Sequence, residues 1–264
     1  MLGKLDFDFK IGFALTGFIV LLVLVGQFYT PYDPYIMNTL QRFSPPSFSH
    51  FFGTDNFGRD NFSRVMIGTR FTLLVAISTV TIGAFSGIVL GLVAGYIGGA
   101  IDEVIMRLID AMTSFPGILL ALVMVTVLDR GDYTIIVALG ILFIPSYTRI
   151  VRSGALQFKN REFVLSALGI GASPFRIMFI HLLPNIYPQL LTGVIIGLSN
   201  AILAESSLSY LGLGIQPPTP SWGRMLFEAQ SYLFNAPWYA LAPGFMIMIT
   251  VLGFNFIGEG LRKA

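Results

Sequence analysis

The chain has 264 residues, 55% of them hydrophobic and 11% charged, with 16 basic against 14 acidic side chains and a mean hydropathy of +0.77. Soluble domains carry about 25% charged residues, so the water-facing surface that a soluble enzyme, a nucleic-acid binder or a disordered chain needs is missing. With no cysteine, and with His50 and His181 as the two histidines, disulfides and thiolate chemistry are excluded and no metal site or other cofactor is expected.

Six apolar runs are long enough to cross a bilayer, each needing about 20 residues: Ile11–Tyr29, Thr72–Ile97, Ile109–Leu128, Thr134–Val151, Leu190–Leu213 and Trp238–Ile257. The expected fold is all-α, a polytopic membrane protein with six transmembrane helices. The first run follows Lys4 and Lys10 and is not followed by a small-x-small cleavage site, so it reads as a retained anchor rather than a cleaved signal. Residues 1–71 then form an anchor helix with an outer loop, and 72–264 a core of five spans.

The loop of residues 30–71 begins extended, through Thr30-Pro31-Tyr32-Asp33-Pro34 and Ser44-Pro45-Pro46. Asp55 with Arg59 and Asp60 with Arg64 are spaced four apart, acid first, the favoured order on a helix. With Phe57, Phe62, Val65 and Met66 they suggest a short interfacial helix on the outer surface. It is either a solvated cap or, through Asp55, Arg59 and Asp60, a contact for an external delivery protein.

In the second span Gly83, Gly87, Gly91 and Gly95 share one helix face, which allows close approach of a neighbouring backbone, in this chain or a second one. Pro116 and Pro145 fall inside spans, as packing kinks or flex points. Asp110 and Glu205 are the ionisable residues noted within them, too few to favour a proton relay.

Residues 152–185 read as a helix–glycine–helix element outside the bilayer. A short helix over Arg161–Ile170 ends at Gly171; Ser173 caps a second, with Pro174 at its first position, which stops at Pro184. Phe175, Met178, Phe179 and Leu182 give it an apolar face. That face either packs under its own bundle or fits a groove on a cytoplasmic partner. In Ala204–Gly214, Glu205 stands among Ser206, Ser207 and Ser209, either as a hydrogen-bonded packing group or on a wet translocation pathway. Trp222 and Trp238, around a proline-rich outer loop, read as interface anchors.

With the N-terminus placed in the cytoplasm, ten cations fall inside (Lys4, Lys10, Arg107, Arg149, Arg152, Lys159, Arg161, Arg176, Arg262, Lys263) and six outside (Arg42, Arg59, Arg64, Arg70, Arg130, Arg224). Both termini inside satisfies the positive-inside rule.

Arg161-Glu162-Phe163, Ala167, Gly171-Ala172-Ser173-Pro174 and His181-Leu182-Leu183-Pro184-Asn185 resemble the cytoplasmic "EAA" loop of ABC importer permeases. Gly53–Asp60, Gly95-Tyr96-Ile97-Gly98-Gly99 with Asp102, Met106-Arg107 and Asp110, and Leu208–Gly223 resemble the C-type subunit of the dipeptide/oligopeptide/nickel branch, over nearly the whole chain. Where the family has Glu-Ala-Ala, this chain has Leu165-Ser166-Ala167.

The resemblance implies a type I ABC importer permease fold in a bacterial cytoplasmic membrane, with membrane lipid around it. It implies a second homologous permease, two ATP-binding subunits beneath, and an extracytoplasmic solute-binding protein. Arg161, Glu162, Ala167, Gly171, Ala172, Ser173, Pro174 and Phe175 would couple to the ATPases. The cargo would be short peptides, or alternatively nickel or a metal–chelator complex. The chain has no Gly-x-x-x-x-Gly-Lys-Ser/Thr loop, so nucleotide belongs on another subunit. A stand-alone secondary transporter is the competing class, and an intramembrane enzyme would need a nucleophile–base or metal set that these spans do not offer.

Overall fold

The computed structural model describes residues 7–128 and 132–263; Lys4 and Arg130, used in the charge argument, lie outside them. Ten α-helices carry the described chain: α1 (Phe7–Phe28), α2 (Asn61–Ile97), α3 (Gly99–Thr113), α4 (Gly117–Val127), α5 (Asp132–Phe158), α6 (Glu162–Gly169), α7 (Pro174–Arg176), α8 (Leu183–Tyr210), α9 (Trp222–Ala229) and α10 (Pro237–Lys263). A π-turn over Ile177–Leu182 joins α7 to α8. No strand occurs among the described residues beyond one antiparallel bridge between Thr54 and Asp60.

α2 is the central post. At 37 residues it rises about 55 Å, well beyond a hydrocarbon core of about 30 Å. Its glycine face settles which neighbour it serves: that neighbour is α5 of the same chain. A methyl group at Gly83 would stand 2.7 Å from Phe143 Cβ, one at Gly91 2.7 Å from the Thr148 carbonyl oxygen, and one at Gly95 2.7 Å from Ala155 Cβ. Two backbones therefore touch along three turns, where dispersion contacts replace the weak hydrophobic drive between helices in lipid.

α1 packs on α10, where a methyl at Gly12 would meet the Ile257 nitrogen at 2.7 Å, and its far end reaches α2, Gly26 lying against Met66. Lys263 pairs with Asp8 at 3.0 Å, so the chain's two terminal helices begin and finish at one end of the bundle. Lys159 Nζ donates to the Gly95 carbonyl at 3.1 Å, which puts the 159–182 loop at that same end. Residues 30–60 and α9 gather at the other, the cap end.

Five helices are long and apolar enough to span, or six if the bent pair α3–α4 counts as one. The expected straight span Ile109–Leu128 is broken by an 89° bend. Pro116 disfavours the helical conformation at Phe115, and the chain turns at Ser114-Phe115. The expected boundary at residue 71 falls inside α2, which runs unbroken from Asn61.

Candidate functional site

The loop-end site is built by one glycine-terminated helix and one serine-capped helix. Arg161 is the N-cap of α6, Glu162 stands in its first turn, and Ala167 is buried. α6 closes with a Schellman motif: Gly171 N–H donates to Leu168 O at 2.9 Å and Ala172 N–H to Ala167 O at 3.0 Å. Gly171 has φ +80°, the left-handed region that favours glycine. Ser173 then caps α7, its hydroxyl accepting from Arg176 N at 3.4 Å, with Pro174 at the start.

The second helix does not stop at Pro184. It runs on as one apolar 37-residue helix from Pro174 to Tyr210. Leu183 N–H bonds to Met178 O, five residues back. This wider turn is how a helix absorbs a residue that has no N–H and crowds the preceding turn. Met178 and Leu182 are buried, while Phe175 is 67% and Ile170 85% exposed. Phe175 stacks on Phe179 with ring centroids 4.6 Å apart. With Leu165 and Leu168, also exposed, these side chains leave an apolar knob beyond the end of the bundle.

The cap-end site differs from the sequence expectation. Residues 53–60 form no interfacial helix; Gly53 (φ +63°) and Gly58 (φ +75°) make left-handed turns there. Asp55 still pairs with Arg59, Nε to Oδ2 at 2.5 Å, and also accepts from Phe57 N and Arg59 N. Asp60 does not pair with Arg64. It caps α2 by accepting from Ser63 N at 2.7 Å and bonds His50 Nδ1 at 2.8 Å. All three of Asp55, Arg59 and Asp60 are buried, so they set the shape of the cap rather than form its surface.

Glu228, on α9, joins this network from 169 residues beyond Arg59. It accepts from Arg59 at 3.1 Å, Arg64 at 3.0 Å, Arg224 at 3.2 Å and the Tyr239 hydroxyl at 3.0 Å. Burial alone would raise its carboxyl pKa; the facing guanidiniums of Arg64 and Arg59 outweigh it and hold the group below the usual carboxylate range.

The other end of α9 is fastened to α8. Glu205 is fully buried and accepts from Ser209 Oγ at 2.7 Å and Ser206 Oγ at 3.3 Å, with the Ser221 side chain a further donor. A methyl on Gly223 would stand 2.6 Å from Ser206 Cα. Glu205, Ser206 and Ser209 therefore meet α9 and its N-cap, not an open surface of this chain. Trp222 is no interface anchor: it is fully buried, its indole N–H donating to Val65 O at 3.3 Å. Trp238 is partly buried against Gly53.

Sequence reasoning did not single out Glu228, Tyr239, His50 or Ser221. The spacing of Arg224 and Glu228, four apart, was a readable signal; the long-range partners were not.

These features define a class: a multi-pass helical membrane protein with an apolar knob at one end and a locked polar cap at the other. Residues 87–264 match the family of the binding-protein-dependent transport system inner membrane component. The chain belongs to that family, a family of transport permeases rather than enzymes. It is 39% identical over 254 residues to a dipeptide transport system permease protein, DppC, of Alkalihalophilus pseudofirmus, covering 96% of this chain and 84% of that one. It is 40% identical to the glutathione transport system permease protein GsiD of Pectobacterium atrosepticum (94% and 83% covered) and 36% identical to the oligopeptide transport system permease protein OppC of Bacillus subtilis (96% and 83%). The fold is that of type I ABC importer permeases: the MetNI methionine ABC transporter in inward-facing conformation superposes with TM-score 0.61 at 20% identity, covering 74% of this chain and 94% of that one. The chain is thus a multi-pass inner-membrane permease of an ABC importer, a class that works with ATPase and substrate-binding partners.

Proposed function

We propose that this chain is one of two homologous pathway subunits of an ATP-driven importer of short peptides. It pairs with a second permease, two ATP-binding subunits and an extracytoplasmic solute-binding protein, with both of its termini in the cytoplasm. The observation that carries this reading is the apolar knob formed by Leu165, Leu168, Ile170 and Phe175, left uncovered on a stiff glycine-hinged turn. Arg161, Glu162, Ala167 and Gly171–Phe175 form the handle that the ATPase grips. The peptide assignment follows the three relatives named above, which carry dipeptide, glutathione and oligopeptide.

The mechanics follow from chain continuity. Pro174 to Glu205 lies on one helix, so 31 residues, about 47 Å, link handle to cap. A displacement of the handle moves Glu205, and with it α9, as one body between discrete packed states. Glu205, Ser206 and Ser209 serve the pathway by holding α9 as its lid. Asp55, Arg59 and Asp60 serve the binding protein by holding the outer cap in docking shape.

The test is ATP hydrolysis by the reconstituted complex. Peptide-loaded binding protein should stimulate it, and deleting residues 161–176 should abolish both stimulation and ATPase retention. Stimulation by metal-loaded binding protein alone overturns the peptide assignment; peptide transport by this chain in liposomes without ATP overturns the whole reading.

A further inference from the structure

Arg70 differs from the three arginines of the cap network. Arg59, Arg64 and Arg224 share Glu228. Arg70 is exposed, meets no carboxylate within ion-pair distance among the described residues, and lies 6.0 Å over the ring of Phe71. It sits on a groove of about 400 Å³ between α1 and α2, otherwise lined by Val20, Val23, Leu24, Leu73, Leu74, Ile77 and Ser78. A charged side chain on a span normally faces a partner or water. This one faces an apolar trough.

Its depth is fixed by the packing of the two helices. Gly26, two residues from the end of α1, abuts Met66. Arg70 is one turn further into the bilayer, about 6 Å, and Leu73, Leu74 and Ile77 continue inward. A guanidinium at headgroup level above an apolar trough matches a phosphodiester above an acyl chain. Arginine binds phosphate oxygens bidentately, and its aliphatic stem reaches along the trough to the interface. No carboxylate lines the groove to receive the ammonium of a zwitterionic headgroup.

We propose that the α1–α2 groove is a binding site for one anionic glycerophospholipid, its phosphate held by Arg70 and an acyl chain laid along Leu73, Leu74 and Ile77. The lipid fixes the anchor helix α1 to α2 where protein contact between them is thin. Only the leaflet, the outer one, rests on the proposed orientation. Cysteine labelling at position 263 tests that orientation separately, because an inverted chain would still bind lipid.

The experiment is native mass spectrometry of the assembled importer in detergent micelles doped with dioleoyl phosphatidylglycerol or dioleoyl phosphatidylcholine. The wild type should retain one phosphatidylglycerol in preference to phosphatidylcholine. R70A should weaken that retention about tenfold, the worth of one charge-assisted contact, and R70K should largely keep it. L74W, which fills the trough while leaving Arg70, should also lose it. A photo-crosslinker at position 74 should give an adduct of lipid mass. Equal retention of the two lipids, retention unchanged in both R70A and L74W, or a crosslink to a second polypeptide overturns the proposal.

Discussion

The Glu228 carboxylate and the Arg64 guanidinium meet at 3.0 Å across 164 residues of chain, tying α9 to the first turn of the central helix. Arg64 is 1% exposed; Nη2 makes the bond to Glu228, while Nε and Nη1 have no hydrogen-bond partner among the described residues. Removing the carboxylate would leave two buried guanidiniums facing each other. Glu228→Ala should therefore cost about 3–5 kcal/mol, read as a lowered Tm of the purified complex; Arg224→Ala, which removes only one of four donors, should cost much less.

The same carboxylate gives an acid limb to stability. Its folded pKa lies below the ordinary value, so its contribution is complete above the unfolded carboxylate range and is lost as pH falls through the lower, folded value. Between pH 5 and pH 8 it should contribute no slope. Below about pH 4.5, the Tm of the wild type should fall more steeply than that of Glu228→Gln. Parallel acid limbs would show that another group controls them.

Glu205 makes a comparable prediction in transport. Its hydrogen bonds run to hydroxyls, so Glu205→Ala leaves polar groups unpaired at about 1–3 kcal/mol, enough to loosen α9 but not to unfold a bundle held by α2 and α5. Uptake of labelled peptide should drop severalfold while pull-down of the ATPase is unchanged. Glu205→Gln, which keeps one acceptor, should lie between. In a double-mutant cycle with Ser221→Ala the pair should couple by about 0.5–3 kcal/mol. Wild-type uptake in Glu205→Ala would reduce the residue to inert packing.

Five of the six expected spans, the glycine face and the helix–Gly171–helix turn were legible because each is encoded by residues close in sequence. What could not be read locally is the cap. Asp55 and Arg59 do pair, but in a turn: the spacing that suits a helix also suits a loop in which Gly58 turns left-handed against Asn38. Arg64 looked like a partner for Asp60, yet a carboxylate at an N-cap is already engaged by backbone N–H groups, and Arg64 found Glu228 instead. Pro184 reads as a stop in the sequence, yet a helix continues through a proline where a wider turn just before it absorbs the missing N–H. That π-turn lets the loop helix that starts at Pro174 and the fifth span become one rod. Trp222 shows the same limit: an aromatic in a proline-rich stretch looks like an interface anchor until the fold wraps α9 into the core.

The seam between α2 and α5 offers a steric test with an internal control. Gly91 has the Thr148 carbonyl oxygen and Val151 Cβ both 2.7 Å from where a methyl would stand, whereas Gly17 on α1 has nothing within 4 Å. Gly91→Val should force the two backbones apart at about 1–3 kcal/mol or more, seen as loss of folded protein after mild extraction. Gly17→Val should be extracted like the wild type.

Gly171 separates mechanics from stability. No atom lies within 4 Å of a methyl placed there, but φ is +80°, so Gly171→Ala meets only the conformational cost of a left-handed residue, about 1–2 kcal/mol. Gly171→Pro is worse in kind. Proline holds φ near −65° and lacks the N–H that Gly171 gives to Leu168 O, so α6 can no longer fold back beside α7. The bundle itself is not built on this turn, and membrane insertion should be normal in both. Uptake should be reduced in Gly171→Ala and abolished in Gly171→Pro, together with stimulation of the ATPase by loaded binding protein. Gly171→Asp, with a charge set in the apolar knob, should fail like proline. Normal coupling in the proline variant would mean that the ATPase grips some other part of the chain.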